Sequence, residues 1–189
     1  MVITSSGTLI LVVGPSGAGK DTLIAGARVA LKGEVRFVFP RRAITRAQVV
    51  GTEDSVTMAP GAFAAAMAAG AFALAWRAHG LSYGIPIAIE AALRQGRHVV
   101  INVSRSVISE ARQRYQPVHV VEAWAPIEVL EERLAARGRE SDDEIADRLA
   151  RASPVVVEGP DVTRIATTGT VAESLERFLE ILRAVAQEG

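Results

Sequence analysis

The sequence predicts an α/β fold, a parallel central sheet between two layers of helices. Three observations predict it. Short apolar runs alternate with helical patterns along all 189 residues, the order that βα units impose. A glycine-rich turn stands directly between the first apolar run and the first helical pattern. The composition is globular, 49% hydrophobic and 22% charged, and a chain of this length can bury the core of one domain.

In order, Thr8–Val13 reads as the first strand and Lys20–Leu31 as the helix that follows. Val35–Phe39 reads as a second strand leading into the basic stretch Arg41–Arg46. Gly61–Ala69 is expected to be a short helix, followed by an extended piece through Trp76. Pro86–Gln95 reads as a helix opening on proline, where a missing amide proton does no harm. His98–Asn102 reads as a buried strand and Ser104–Tyr115 as a helix capped by Ser104. Val118–Trp124 is a further strand, Pro126–Ala136 a helix, and Ser141–Arg151 a helix opened by the capping box Ser141/Glu144. Val162–Ala166 is the last core strand and Val171–Gln187 a closing amphipathic helix. No repeat or long linker divides the chain, so residues 1–189 are expected to form one domain.

Several classes are excluded. A formal net charge of zero argues against a nucleic-acid partner, so affinity for anions must come from local arginine clusters. The absence of cysteine excludes disulfides and thiolate metal sites and suits a cytoplasmic location. The run Thr8–Val13 lacks a basic flank and flows into the glycine turn, unlike a signal peptide. Ser55–Trp76 is uncharged and long enough to span a bilayer, but it is mostly Ala and Gly around Pro60. It lacks the aliphatic density that drives insertion, so no membrane partner is expected.

Gly14-Pro15-Ser16-Gly17-Ala18-Gly19-Lys20 fits G-x-x-x-x-G-K, with Asp21 and Thr22 following. Glycines let backbone amides wrap a phosphate, the helix N-terminus adds its dipole, and Lys20 neutralises the β/γ oxygens. Gly14–Thr22 is therefore the expected ATP-binding segment of a P-loop kinase, with Lys20 catalytic. Asp21 stands where Ser or Thr usually meets Mg²⁺. As a hard oxygen donor it is the expected metal ligand, the alternative being a favourable first-turn acid. Arg41-Arg42-Ala43-Ile44-Thr45-Arg46 places three guanidinium forks after a strand. The bland reading is a solvated run; beside a phosphate loop, the cluster is expected to hold an acceptor phosphate.

Four features carry a family resemblance: the strand–GPSGAGK–helix unit, the RRxITR run, the YG step at Tyr83-Gly84 and the segment Arg133–Glu140. Together they resemble the guanylate-kinase-like branch of nucleoside monophosphate kinases. Within it, GKD, ITR, GxFALxWxAHGLxYGIP and NxSR look most like the ribose 1,5-bisphosphate phosphokinases, over nearly the whole chain. That resemblance implies a three-layer α/β/α P-loop fold with an acceptor-binding region at about 40–85 and a lid at about 137–152. It further implies ATP and Mg²⁺, a sugar-phosphate substrate and a role in phosphonate catabolism; the chain could be a monomer or a homodimer.

Guanine recognition needs an acidic acceptor just after the G-x-F, but Ala73 and Leu74 stand there. An unpaired base edge would cost about 1–3 kcal/mol per group, so a base-free sugar phosphate fits better. The expected acceptor set is Arg41, Arg42, Thr45, Arg46, Glu53, Asp54, His79, Tyr83, Ser104 and Arg105. Trp76 and Tyr83 are equally readable as core aromatics, Ser104 as a helix cap, and Glu53 and Asp54 as turn residues. Arg137 and Arg148, with Arg139 behind them, are the expected lid cations that spread charge over the transferring group. Thr167-Thr168-Gly169 is the expected border of the adenine. The rival readings are a nucleoside monophosphate kinase and a non-catalytic guanylate-kinase-like binding module.

Overall fold

The computed structural model describes residues 2–45, 55–136 and 157–188. Strand β1 (Ile3–Val13) forms the middle of a five-stranded parallel sheet. Its neighbours are β7 (His98–Asn102) and β8 (Tyr115–Trp124), with β2 (Phe37–Val38) and β9 (Val162–Ala166) at the edges. The run Leu9–Val13 is wholly buried because both of its faces are covered. Ile10 and Val12 pack with Leu23, Ile24 and Ala27 of helix α1 (Lys20–Ala30) and with Phe178 and Leu182 of helix α6 (Val171–Glu188). Leu9, Leu11 and Val13 face the opposite layer. There they meet Leu93 of α3 (Ile89–Arg94) and Ile108 and Ala111 of α4 (Ile108–Arg114). This is the predicted three-layer arrangement.

Residues between β2 and α3 build a second sheet that the sequence did not disclose. Its order is β4 (Ser55–Thr57), β3 (Arg42–Ile44), β6 (Leu81–Pro86), β5 (Phe72–Ala78). The β5–β6 pair is antiparallel and turns through His79 and Gly80, both at positive φ (51° and 71°), a two-residue hairpin of the primed kind. Helix α2 (Pro60–Ala68) carries proline in its first turn and stacks Phe63 on Phe72 with ring centroids 4.6 Å apart. A Cβ on Gly84 would stand 2.6 Å from the Phe72 ring, so any larger residue would force that ring to move.

Several boundaries differ from the sequence reading: β1 already begins at Ile3 and β2 is only Phe37–Val38. Pro86 closes β6, in register with Phe72, and the helix starts at Ile89. Ser104 caps a 3₁₀ turn, Arg105–Val107, by accepting from the Ser106 amide, and the α-helix begins only at Ile108. Tyr115 opens β8 and is buried. Its hydroxyl donates to Glu90 at 3.0 Å, which together with burial raises its pKa; Arg94 and Arg114 also pair with Glu90. Arg114 in turn donates to the Ala73 carbonyl at 2.6 Å, tying the second sheet to α4.

His98 is buried at the start of β7, and its Nδ1 accepts the Thr8 amide at 3.2 Å. Burial, then the nearby Arg36 charge, lower its pKa from 6.5. The unfolded chain therefore binds a proton that the folded one resists, so stability falls with pH below about 6.5 and is flat above it for this group. Urea unfolding at pH 7.5 and 5.5 checks this: the wild type should lose more stability on acidification than His98→Gln.

Among the described residues, no helix is long and apolar enough to cross a membrane.

Candidate active site

The loop from Gly14 to Gly19 joins β1 to α1. Gly14 lies at φ 141°, and a Cβ there would overlap the Ala123 carbonyl of the adjacent strand. Gly17 lies at φ 85° with Leu130 and Leu134 of α5 (Ile127–Ala136) packed against it. Lys20 Nζ donates to the Gly14 and Pro15 carbonyls at 2.8 and 2.7 Å, which places its ammonium over the loop. Amides opening a helix, positive-φ glycines and a lysine at this spot fit a triphosphate tail.

Asp21 opens α1 with its side chain 61% exposed. Asn102, at the end of β7, donates Nδ2 to Asp21 Oδ1 at 2.7 Å, and Arg42 of β3 approaches the same oxygen at 3.8 Å. Among the described residues no three His, Cys, Asp or Glu side chains form a cage. Mg²⁺ beside phosphates takes one or two carboxylates and keeps its waters, so a single exposed Asp21 fits that ion. Thr22, next in the helix, is exposed.

Across from the loop stands the second sheet. Strand order β3-β6-β5 and the pairs Ile44–Tyr83 and Tyr83–Trp76 set Tyr83 between its neighbours. The Trp76 ring lies parallel to it (5.2 Å, 4°), and the Arg42 guanidinium sits 5.6 Å from its centroid. Cation–π contact and the Asn102 carbonyl, 3.5 Å from Arg42, hold that guanidinium in the wall of a shallow, open cleft. Asp21, Arg28, Pro40 and Asn102 also line it. Ala73 and Leu74 are fully buried in the core and offer no acceptor to a base.

The other expected residues divide. Arg41 donates to the Ser55 carbonyl at 3.0 Å, and Thr45 Oγ1 accepts the Ser82 amide at 2.8 Å, so both hold β3 to its neighbouring strands. His79 is a hairpin-turn residue and Ser104 a cap. Arg105 points at the buried Glu122, with Nε 3.7 Å from Oε1, and Arg164 pairs with the same carboxylate at 3.0 Å. Arg46, Glu53, Asp54, Arg137, Arg139 and Arg148, and the capping box Ser141/Glu144, lie outside the described residues.

The sequence reading gave Arg133 no role of its own. Its Nη2 donates to the Thr167 carbonyl at 2.5 Å, and its Nη1 to Thr167 Oγ1 at 3.3 Å and the Gly17 carbonyl at 3.4 Å. Thr167 N and Oγ1 both bond the Trp124 carbonyl. The loop from β9 into α6 is then fixed by the reciprocal pair Thr170/Glu173, whose hydrogen bonds lower the Glu173 pKa. The signal for Arg133 was its place one helical turn before Arg137.

No protein-family model matches the chain. It is 48% identical over 97% of its length to ribose 1,5-bisphosphate phosphokinase PhnN of Brucella melitensis, covering 95% of that protein. It is 49% identical over 94% of its length to the protein of the same name in Methylobacterium radiotolerans, covering 98% of it. Guanylate kinase from Anaplasma phagocytophilum superposes with a TM-score of 0.66 at 18% identity, covering 96% of this chain and 87% of that one, which shows a shared fold.

Proposed function

The chain belongs to the ribose 1,5-bisphosphate phosphokinase family, and we propose that it phosphorylates the 1-phosphate of ribose 1,5-bisphosphate at the expense of ATP. The bond from the γ-phosphorus to its bridging oxygen breaks, a bond to an oxygen of the 1-phosphate forms, and ADP leaves with 5-phosphoribosyl 1-diphosphate as the other product. The observation that carries this reading is the wall of the acceptor cleft. Arg42, held over Tyr83, offers it a guanidinium, whereas Ala73 and Leu74, at the positions where guanine would need an acceptor, are apolar and buried in the core.

An acceptor phosphate is largely dianionic at neutral pH, its second pKa being near 6, so no general base is required. The barrier is repulsion between two anions. Gly14–Thr22 cradle the ATP phosphates and Lys20 neutralises them; Asp21 would hold Mg²⁺, which would supply further neutralisation of the triphosphate charge. Arg42, Tyr83 and Arg46 grip the acceptor, with Arg41, Thr45, Glu53, Asp54, His79, Ser104 and Arg105 completing or supporting its site. Arg137 and Arg148 cover the transferring group from a lid at about 137–152. The whole chain acts as one domain on a small sugar phosphate, in the cytoplasm.

Mass spectrometry of the reaction with ribose 1,5-bisphosphate and ATP should find 5-phosphoribosyl 1-diphosphate and ADP. ADP release with GMP or AMP, and none with the sugar bisphosphate, would overturn the assignment.

A further inference from the structure

We propose that Arg133 is a positioning residue for the nucleotide: it sets the orientation of the Gly17–Ala18 peptide in the phosphate loop and locks that loop to the strand-to-helix loop at Thr167. The inference rests on the reading of Gly14–Thr22 as the ATP site and extends it to a residue outside the loop.

A trans peptide points its carbonyl and its amide in opposite directions. The Gly17 carbonyl is drawn outward to Arg133 Nη1. The amide of the same peptide, Ala18 N, points into the loop and donates to the Pro15 carbonyl at 3.3 Å. Gly17 has a backbone (φ 85°) that tolerates either peptide orientation, so something outside the loop must choose. Leu130 and Leu134 pack against Gly17 with the Leu130 carbonyl and their side chains, none of which donates a hydrogen bond to the Gly17 carbonyl, and Arg133, between them on the same helix, supplies the direction.

The fork is used in full. One arm reaches Gly17 and the Thr167 hydroxyl, the other the Thr167 carbonyl. Thr167 is itself fixed to the Trp124 carbonyl, so Arg133 ties the loop to the sheet through two strands' ends. A lysine ammonium has the charge but not the planar geometry to serve these three acceptors together.

The test is calorimetric titration of the full chain with Mg·ADP, alongside steady-state KM values for ATP and for the acceptor, and thermal unfolding. Arg133→Met should weaken Mg·ADP binding by about 10-fold and raise KM for ATP similarly, with KM for the acceptor within about twofold of wild type. Arg133→Lys should recover less than half of that loss. Wild-type ADP affinity in either variant overturns the proposal. So does an equal rise in both KM values with lowered thermal stability, which marks a merely structural role. ADP binding is read without any acceptor, so a wrong choice of sugar substrate leaves this outcome untouched.

Discussion

Lys20→Ala should lower kcat by roughly 10³-fold or more while the chain still folds. The ammonium is held over the loop by the Gly14 and Pro15 carbonyls, where the β/γ oxygens of the triphosphate belong. Nothing else among the described residues brings a cation to those two carbonyls. The side chain leaves from the first residue of α1, outside the buried cluster formed by Leu23, Ile24 and Ala27, so its removal opens no core cavity. A coupled ADP-release assay with circular dichroism separates lost chemistry from lost structure. Turnover close to wild type would refute the phosphate loop as the catalytic centre.

The second large effect is expected at Arg42. Arg42→Ala should reduce kcat/KM for ribose 1,5-bisphosphate by about 10²-fold, the size of a lost charge-assisted contact of about 1.5–3 kcal/mol. KM for ATP should move much less, because Asn102 still holds Asp21 at 2.7 Å. Arg42→Lys should not restore the acceptor side, since a flat guanidinium is what lies over Tyr83. An unchanged acceptor KM in Arg42→Ala would remove Arg42 from the site.

The parts legible in the sequence are those set by neighbours in the chain. The phosphate loop is a contiguous pattern between a strand and a helix, and Leu9–Val13 of β1 and the Val99–Ile101 centre of β7 are apolar runs whose burial follows from composition alone. The second sheet is different. β3 and β4 are three residues each, too short to show a period, and Ala43 pairs with Val56 on one side and with Gly84, far along the chain, on the other. Pairing across that distance decides where side chains go. It turns Arg41 and Thr45 toward strand neighbours and leaves Arg42 facing the cleft, a division that three arginines in a row of letters do not reveal. Arg105 reads in sequence only as a candidate phosphate ligand, and it takes the fold to bring Glu122 within 3.7 Å of its Nε. Tyr115 reads as the end of a helix because the demand of Glu90 for a buried donor is invisible in sequence.

Strand β8 acts as a girder shared by the two halves of the site. At its start Tyr115, with Arg114 just before it, braces Glu90 and Ala73; nine residues on, about 30 Å away, Trp124 receives Thr167. The second sheet and the loop after β9 are thus each tied to the same strand, so both are positioned from β8 and not through a chain of loops whose errors would add.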